Sequence, residues 1–137
     1  MSDVPLSKRP SEIVWKPQPA LSHGAEFAVL LGDLTKPGKY VFRLRVPAGH
    51  RAFPHTHPEA RVYTVLDGTF FIGWGEEFSP DRLEEYPTGS VILVRADRHH
   101  FQFAKSGPYV VQIEGDGPTA VVYVDPSEDP RKAPPSP

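Results

Sequence analysis

Three histidines carry the chemistry that is legible in this chain. His55-Thr56-His57 starts six residues after Gly49 and ends eleven before Gly68, and His100 follows Gly89 by eleven. On a β-strand, residues i and i+2 point to the same face, roughly 7 Å apart along the backbone. Both imidazoles can therefore converge on one ion if the strand lines a barrel. A third histidine on a later strand can complete the set. Imidazole suits Fe, Zn, Cu, Ni and, with oxygen ligands, Mn. The chain has no cysteine, so disulfides and thiolate ligands are excluded and any divalent transition metal must be held by nitrogen and oxygen. His99 should face the opposite side of its strand from His100. His23 and His50 fall in loop-like stretches and read as polar surface.

The same parity argument extends the candidate site. Tyr63 shares a face with Arg61, and Gln102 shares one with His100, so Arg61, Tyr63 and Gln102 are the substrate-binding candidates. Arg61 and Tyr63 are also the catalytic candidates, with Glu59 a second possible acid or base. Phe101 and Phe103 take the other face and read as core or dimer interface. Arg43 and Arg45 read as a solvated strand face, and Trp74 and Phe78 as packing at a barrel end.

Short strands separated by turn signals must position these residues. They are expected at 27–31, 39–46, 53–57, 61–66, 69–74, 91–95, 99–104, 109–114 and 119–124. Asp67-Gly68 reads as a type I′ hairpin turn between the fourth and fifth of these. One short helix is expected after Ser79, with Pro80 at its first position, Leu83 inward and Glu84-Glu85 on its solvated face. No repeat and no βαβ alternation is visible. The fold class is therefore all-β, a jelly-roll or closed barrel with one short helix.

Composition bounds the rest. At 137 residues, 39% of them hydrophobic, the chain suits a single core. Its domain organisation reads as an extended N-terminal arm (1–24), a barrel (25–125) and a mobile proline-rich tail (126–137). Ile13, Val14 and Trp15 give the arm apolar surface with which to dock on the barrel or on a second subunit. A net charge of −2 and a pI near 6.3 give no electrostatic case for nucleic acid. No apolar run approaches ~18 residues, so no membrane span is expected. Met1 to Pro10 lacks the apolar stretch of a secretory signal, and the expected location is the cytoplasm.

The motifs around the histidines resemble those of single-domain bacterial cupins. That family's first motif runs Gly, five residues, His-x-His, three or four residues, Glu, six residues, Gly; Gly49, His55, His57 and Gly68 match it. The second runs Gly, five residues, Pro-x-Gly, two residues, His, three residues, Asn; Gly89 and His100 match it. The resemblance covers roughly 27–124. It implies a double-stranded β-helix, a metal held by His55, His57 and His100, a small-molecule ligand and pairing of barrels into a homodimer.

Three positions depart from the pattern. Arg95 and Asp97 replace the Pro and Gly of the second motif, and Ala104 replaces its Asn. Arg61 stands where the family's metal-binding Glu would be, which removes an anionic ligand and adds a cation. A dication and an arginine about 6 Å apart repel by roughly 5 kcal/mol at an effective dielectric of ~20. Four outcomes are open: Arg61 turns to solvent, Glu59 ligates the ion or pairs with Arg61, an anion joins the metal and Arg61, or the site holds no metal. The expected function is a metal-binding cupin acting as an enzyme on a small organic anion, of dioxygenase, decarboxylase or isomerase type. The alternative is a non-catalytic small-molecule or metal-binding sensor.

Overall fold

Alternation of apolar and polar residues builds both layers of this molecule. A computed structural model describes residues 7–132. The strands are β1 (Lys16–Pro17), β2 (Glu26–Leu31), β3 (Gly38–Val46), β4 (Arg51–Thr56), β5 (Arg61–Asp67), β6 (Phe70–Trp74), β7 (Glu84–Tyr86), β8 (Val91–Val94), β9 (His100–Phe103), β10 (Tyr109–Gly117) and β11 (Val122–Tyr123). They form two antiparallel sheets. One has six strands in the order β1-β2-β3-β10-β5-β8, and the other five in the order β11-β4-β9-β6-β7.

The core lies between the sheets. Tyr40, Phe42, Leu44 and Val46 of β3 alternate inward, as do Tyr109, Val111 and Ile113 of β10 and Tyr63 and Val65 of β5. Ala52, Phe70 and Ile72 meet them from the five-stranded sheet. The outward residues of β8, Val91 and Leu93, stay exposed while Ile92 and Val94 are buried. This period of two is the pattern of a half-buried strand.

Two expectations fail here. Asp67-Gly68 is no hairpin turn, because β5 and β6 lie in different sheets. Only Gly68, with φ +73°, takes a positive φ, whereas a type I′ turn needs two. The chain turns a corner between layers, and a Cβ on Gly68 would sit 2.3 Å from the Pro108 carbonyl oxygen. The helix expected after Ser79 is a single turn, closed by Arg82 N donating to Ser79 O at 3.1 Å. Glu84 and Glu85 then belong to edge strand β7 on β6. Pairing with β6 and the Glu84 carboxylate's contacts to Trp74 Nε1 and Tyr86 OH hold that segment extended. The helices that do form are 3-10 turns at Pro10–Glu12, Pro126–Glu128 and Pro130–Lys132.

The N-terminal segment adds β1 to the six-stranded sheet, and the Arg45 guanidinium lies 4.1 Å over the Trp15 ring. Residues 126–132, placed in the tail by sequence, are tied to the barrel. Asp129 is buried, and Arg131 donates to its carboxylate and to Val121 O. Residues 133–137, the rest of that tail, lie outside the described residues, as do residues 1–6.

Candidate metal centre

A β-bulge aims the first histidine. Ala52 pairs with Gln102 and His55 with His100, so β4 spends three residues where β9 spends two. Pro54, which has no N–H for the ladder, sits in that irregularity. Without the extra residue Ala52 and His55 would face opposite sides of β4; with it both face inward. His57 follows two residues later on the same face. Its carbonyl accepts from Asp97 N at 2.8 Å, which ties the end of β4 to the turn before β9. Asp97 stands where the motif has glycine and adopts φ +59°, a left-handed conformation that short polar Asp tolerates.

The three imidazoles converge. One nitrogen from each of His55, His57 and His100 lies within 4.8 Å of the others. Ring centroids are 4.3 Å apart for His55–His100, 4.9 Å for His55–His57 and 5.1 Å for His57–His100. All three residues are buried. Each Nδ1 bonds a backbone carbonyl: Phe53 O for His55, Ala120 O at 2.8 Å for His57 and Arg98 O at 2.8 Å for His100. A carbonyl only accepts, so each Nδ1 carries the proton and each Nε2 keeps its lone pair.

Burial, above all, lowers the pKa of each ring: His55 and His57 fall well below the ordinary histidine range, and His100 falls to about 4. Neighbouring histidines and Arg61 push the same way for His55 and His57. At neutral pH the triad is uncharged. Nε2 of His57 and of His100 are buried without a hydrogen-bond partner, which is costly in a finished protein interior. Neutral, oriented imidazoles with unpaired lone pairs fit a divalent transition metal.

Arg61 and Tyr63, from β5, face the triad from the other sheet and are both buried. Arg61 Nη1 donates to Tyr63 OH at 3.3 Å, and Nη2 donates to Thr119 Oγ1 at 2.6 Å. Its Nε lies 3.5 Å from Glu59 Oε2 but makes no hydrogen bond. That oxygen accepts from Tyr40 OH at 2.5 Å, while Glu59 Oε1 is buried and unpartnered. Burial opposes the guanidinium's charge, yet Tyr63, Tyr40 and Glu59 around it hold its pKa above the ordinary arginine value. Burial likewise raises the Tyr40 hydroxyl.

A glycine makes room for this network. Gly115 of β10 pairs with Tyr40 on one side and Arg61 on the other, and a Cβ there would lie 2.5 Å from the Tyr40 hydroxyl oxygen. Glu59, considered from sequence as a further ligand, is turned to Tyr40 and Arg61; the convergent group among the described residues contains only the three histidines.

Between the sheets lies a small cavity bordered by His55, His57, Arg61, Tyr63 and Gln102, with Phe42, Leu44, Ile113 and Val121 as its apolar wall. About 30 Å³ is open to the centre of a water-sized sphere, room for one or two waters. Gln18 and Leu21 of the N-terminal segment close it. Sequence reasoning missed Tyr40, Thr119, Gln18 and Leu21; the one local signal was a glycine, Gly115, inside a strand pattern.

His50, read from sequence as polar surface, is buried. Its Nε2 lies 3.0 Å from Ser22 Oγ and 3.1 Å from Ser22 O, because the N-terminal segment packs over the β3–β4 turn. His23 is exposed. His99 is turned outward, with Nε2 3.7 Å from Glu76 Oε1.

No protein-family model matches this sequence, and no curated protein matches it. Solved structures do. The polyketide cyclase RemF from Streptomyces resistomycificus aligns with TM-score 0.67 at 20% identity, over 96% of this chain and 91% of that one. An RmlC-like cupin from Shewanella frigidimarina NCIMB 400 gives 0.62 at 11%, over 85% and 94%. The DMSP lyase DddQ from Ruegeria pomeroyi DSS-3 gives 0.67 at 16%, over 83% of this chain and 62% of that one. At such identities likeness establishes architecture alone, and the two facing sheets with three inward histidines agree with it: this chain is a single-domain protein of the cupin fold.

Proposed function

We propose that this cupin is a metal-dependent enzyme acting on a small organic anion, with His55, His57 and His100 as the metal ligands. The observation that carries the reading is the convergence of three buried, neutral imidazoles, each tied at Nδ1 to a backbone carbonyl. Fe, Mn, Ni, Zn and Cu all suit such a donor set. When bound, the ion supplies Lewis acidity or redox chemistry.

The protein's own groups divide the remaining work. Arg61 fixes a carboxylate or enolate oxygen of the substrate through its planar fork. Tyr63 OH accepts from Arg61 and keeps its own proton to donate across the cavity. Gln102 orients the ligand from the opposite sheet. The apolar wall excludes water. The cyclase and lyase among the structural neighbours support an enzymatic use of this fold. Pairing into a homodimer belongs to the same proposal, and exposed Val62, Val91 and Leu93 on the outer face of β5 and β8 support it.

The test is metal analysis of protein purified without an affinity tag, followed by a turnover screen with small carboxylates, with dioxygen uptake monitored. Partners of metal-bound histidines alone are worth about 10–100-fold in affinity, so loss of a ligand in His100→Ala should weaken metal retention by more than about 100-fold. Equal retention in wild type and His100→Ala would refute the site. A second reading, a non-catalytic metal- or small-molecule-binding sensor, is favoured by the tightness of the cavity. Bound metal with saturable anion binding and no turnover would select it.

A further inference from the structure

The cavity beside the histidines is closed by a segment that hangs on side chains. While Gln18 and Leu21 stay in place, the space holds one or two waters and no organic ligand. Residues 18–25 form a closed loop, with Gln18 N donating to Ala25 O at 2.9 Å. Ala20, Leu21 and Ala25 are buried. Polar ties from this loop to the rest of the chain include Tyr123 OH donating to Ala20 O, Ser22 Oγ donating to Arg51 O at 3.2 Å, and the His50 ring against Ser22.

His50 is the tie that can change state. Its Nε2 lies 3.1 Å from Ser22 O and 3.0 Å from Ser22 Oγ. A carbonyl only accepts, so Nε2 carries the proton. Nδ1 is then a bare lone pair, buried and without a hydrogen-bond partner. A second proton would bury a charge and an unpaired N–H there. Burial accordingly lowers the pKa of the ring, although the bond to Ser22 O opposes the shift. The charged groups around it are turned elsewhere. Arg51, next in the chain, lays its guanidinium over Phe78 and Phe103. Lys105 follows the Ala104 that donates to His50 O, and its Nζ lies 5.8 Å from the centre of the Phe71 ring. Beside the loop, His23 is exposed and Glu26 pairs with Arg45. Among the described residues the His50 ring has no charged partner; its bonds go to Ser22.

We propose that residues 18–25 are a gate over the cavity, held shut by the neutral His50 ring on Ser22 and released when that ring takes up a second proton. The gate goes beyond the metal reading. It governs entry of solutes larger than water and stands whether or not a metal is bound, so the two can fail separately. Opening returns the ring to water and to an ordinary pKa near 6.5. In the shut loop that pKa is depressed. The shut form therefore binds fewer protons, and closure is complete above about pH 6.5 and weakens as pH falls. A single proton limits the change in opening between pH 7.5 and pH 5.5 to about tenfold.

The experiment is amide exchange in the full, metal-free chain at pH 7.5 and pH 5.5, corrected for intrinsic rates. The N–H groups of Leu21 and Ala25 bond Gln18 O and Ser22 O. Their protection should fall about three- to tenfold at pH 5.5. At both pH values they should stay less protected than the amides of β10, the mark of opening that is not global. His50→Gln keeps a neutral donor toward Ser22 and should show no such fall. His50→Phe removes the donor and should open the loop about fivefold at pH 7.5, the usual worth of one hydrogen bond, with little further change at pH 5.5. Entry is read with diethyl pyrocarbonate, which acylates the free nitrogen of a neutral imidazole, and tandem mass spectrometry locates the adducts. At pH 7.5 His55 and His57, which border the cavity, should react about fivefold faster in His50→Phe than in wild type, each measured against exposed His23.

Protection that does not change with pH in wild type would overturn the proposal, and so would a fall that persists in His50→Gln. Leu21 and Ala25 amides as protected as those of β10 would make their opening global and remove the gate. A looser loop in His50→Phe with unchanged rates at His55 and His57 would mean that the cavity is entered elsewhere.

Discussion

The two sheets face each other across one cavity, yet they arm it in opposite ways. The five-stranded sheet contributes neutral groups fixed by backbone: three imidazoles, each held by a carbonyl within its own local chain or across a loop. The six-stranded sheet contributes charge and hydroxyls: Arg61, Tyr63 and Tyr40, joined by Glu59 and Thr119, and held by side chains alone. Backbone carbonyls set orientation rigidly and add no net charge. Side-chain networks hold charge but leave loose ends, here Arg61 Nε and Glu59 Oε1. One wall presents lone pairs, and the other holds the charged groups.

The sharpest way to break that contrast is to unbalance the charged wall. Removing one partner of a buried pair strands the other and typically costs about 3–5 kcal/mol. Glu59→Ala should fall at the lower end, about 3 kcal/mol, because its contact with Arg61 is 3.5 Å and lacks a hydrogen bond. Removing both charges, in Glu59→Gln with Arg61→Met, should recover most of that loss. Denaturant midpoints of the single and double variants decide it. A double variant as unstable as Glu59→Ala would mean that the two side chains act independently.

The neutral wall responds instead to acid. In metal-free protein His100 has a folded pKa of about 4 against an unfolded value near 6.5. Its pKa is depressed on folding, so the native state binds fewer protons than the unfolded state. Stability from this group is complete above about pH 6.5 and is lost as pH falls to about 4, amounting to about 3 kcal/mol. His55 and His57, lowered further by burial, act in the same direction. Arg61 stays charged throughout and contributes no slope. Urea midpoints between pH 7 and pH 4.5 should fall steeply in wild type and less so in His100→Leu. A flat profile in wild type would mean that the histidines are not desolvated.

That asymmetry also explains what could be read from the sequence. His55, His57 and His100 were legible because H-x-H fixes parity locally and glycines mark the strand ends. The all-β fold followed from the same alternation, together with turn residues at regular intervals. What stayed hidden is non-local. Tyr40 meets Glu59 only because β3 and β5 flank β10 and Gly115 opens a gap between them. Thr119 reaches Arg61 across 58 positions. Ser-Pro followed by acidic residues, as before edge strand β7, suits helix and strand alike, and only pairing with β6 decides. The bulge at Pro54, on which the facing of His55 relative to Ala52 depends, is likewise set by the pairing of β4 with β9.

The smallest expected effect lies where the walls are tied together at the cavity mouth. Tyr123 of β11, in the five-stranded sheet, donates its hydroxyl to Ala20 O in the segment that follows β1 of the six-stranded sheet. Burial pushes this phenol up to about 12, so it is a neutral donor at physiological pH. The tied segment carries Gln18 and Leu21, which close the cavity. Tyr123→Phe keeps the ring beside His55, 5.6 Å between centroids, and removes only the hydrogen bond. The cost should be about 1 kcal/mol, the usual net value of one such bond. If the bond acts as a local latch, that energy appears as opening of residues 18–25, and the backbone amides of Leu21 and Ala25, now bonded to Gln18 O and Ser22 O, should exchange about fivefold faster. Amides of β10, at the centre of the six-stranded sheet, should be unaffected by local opening. Equal acceleration of both sets would place the bond in global stability and leave the mouth without a latch.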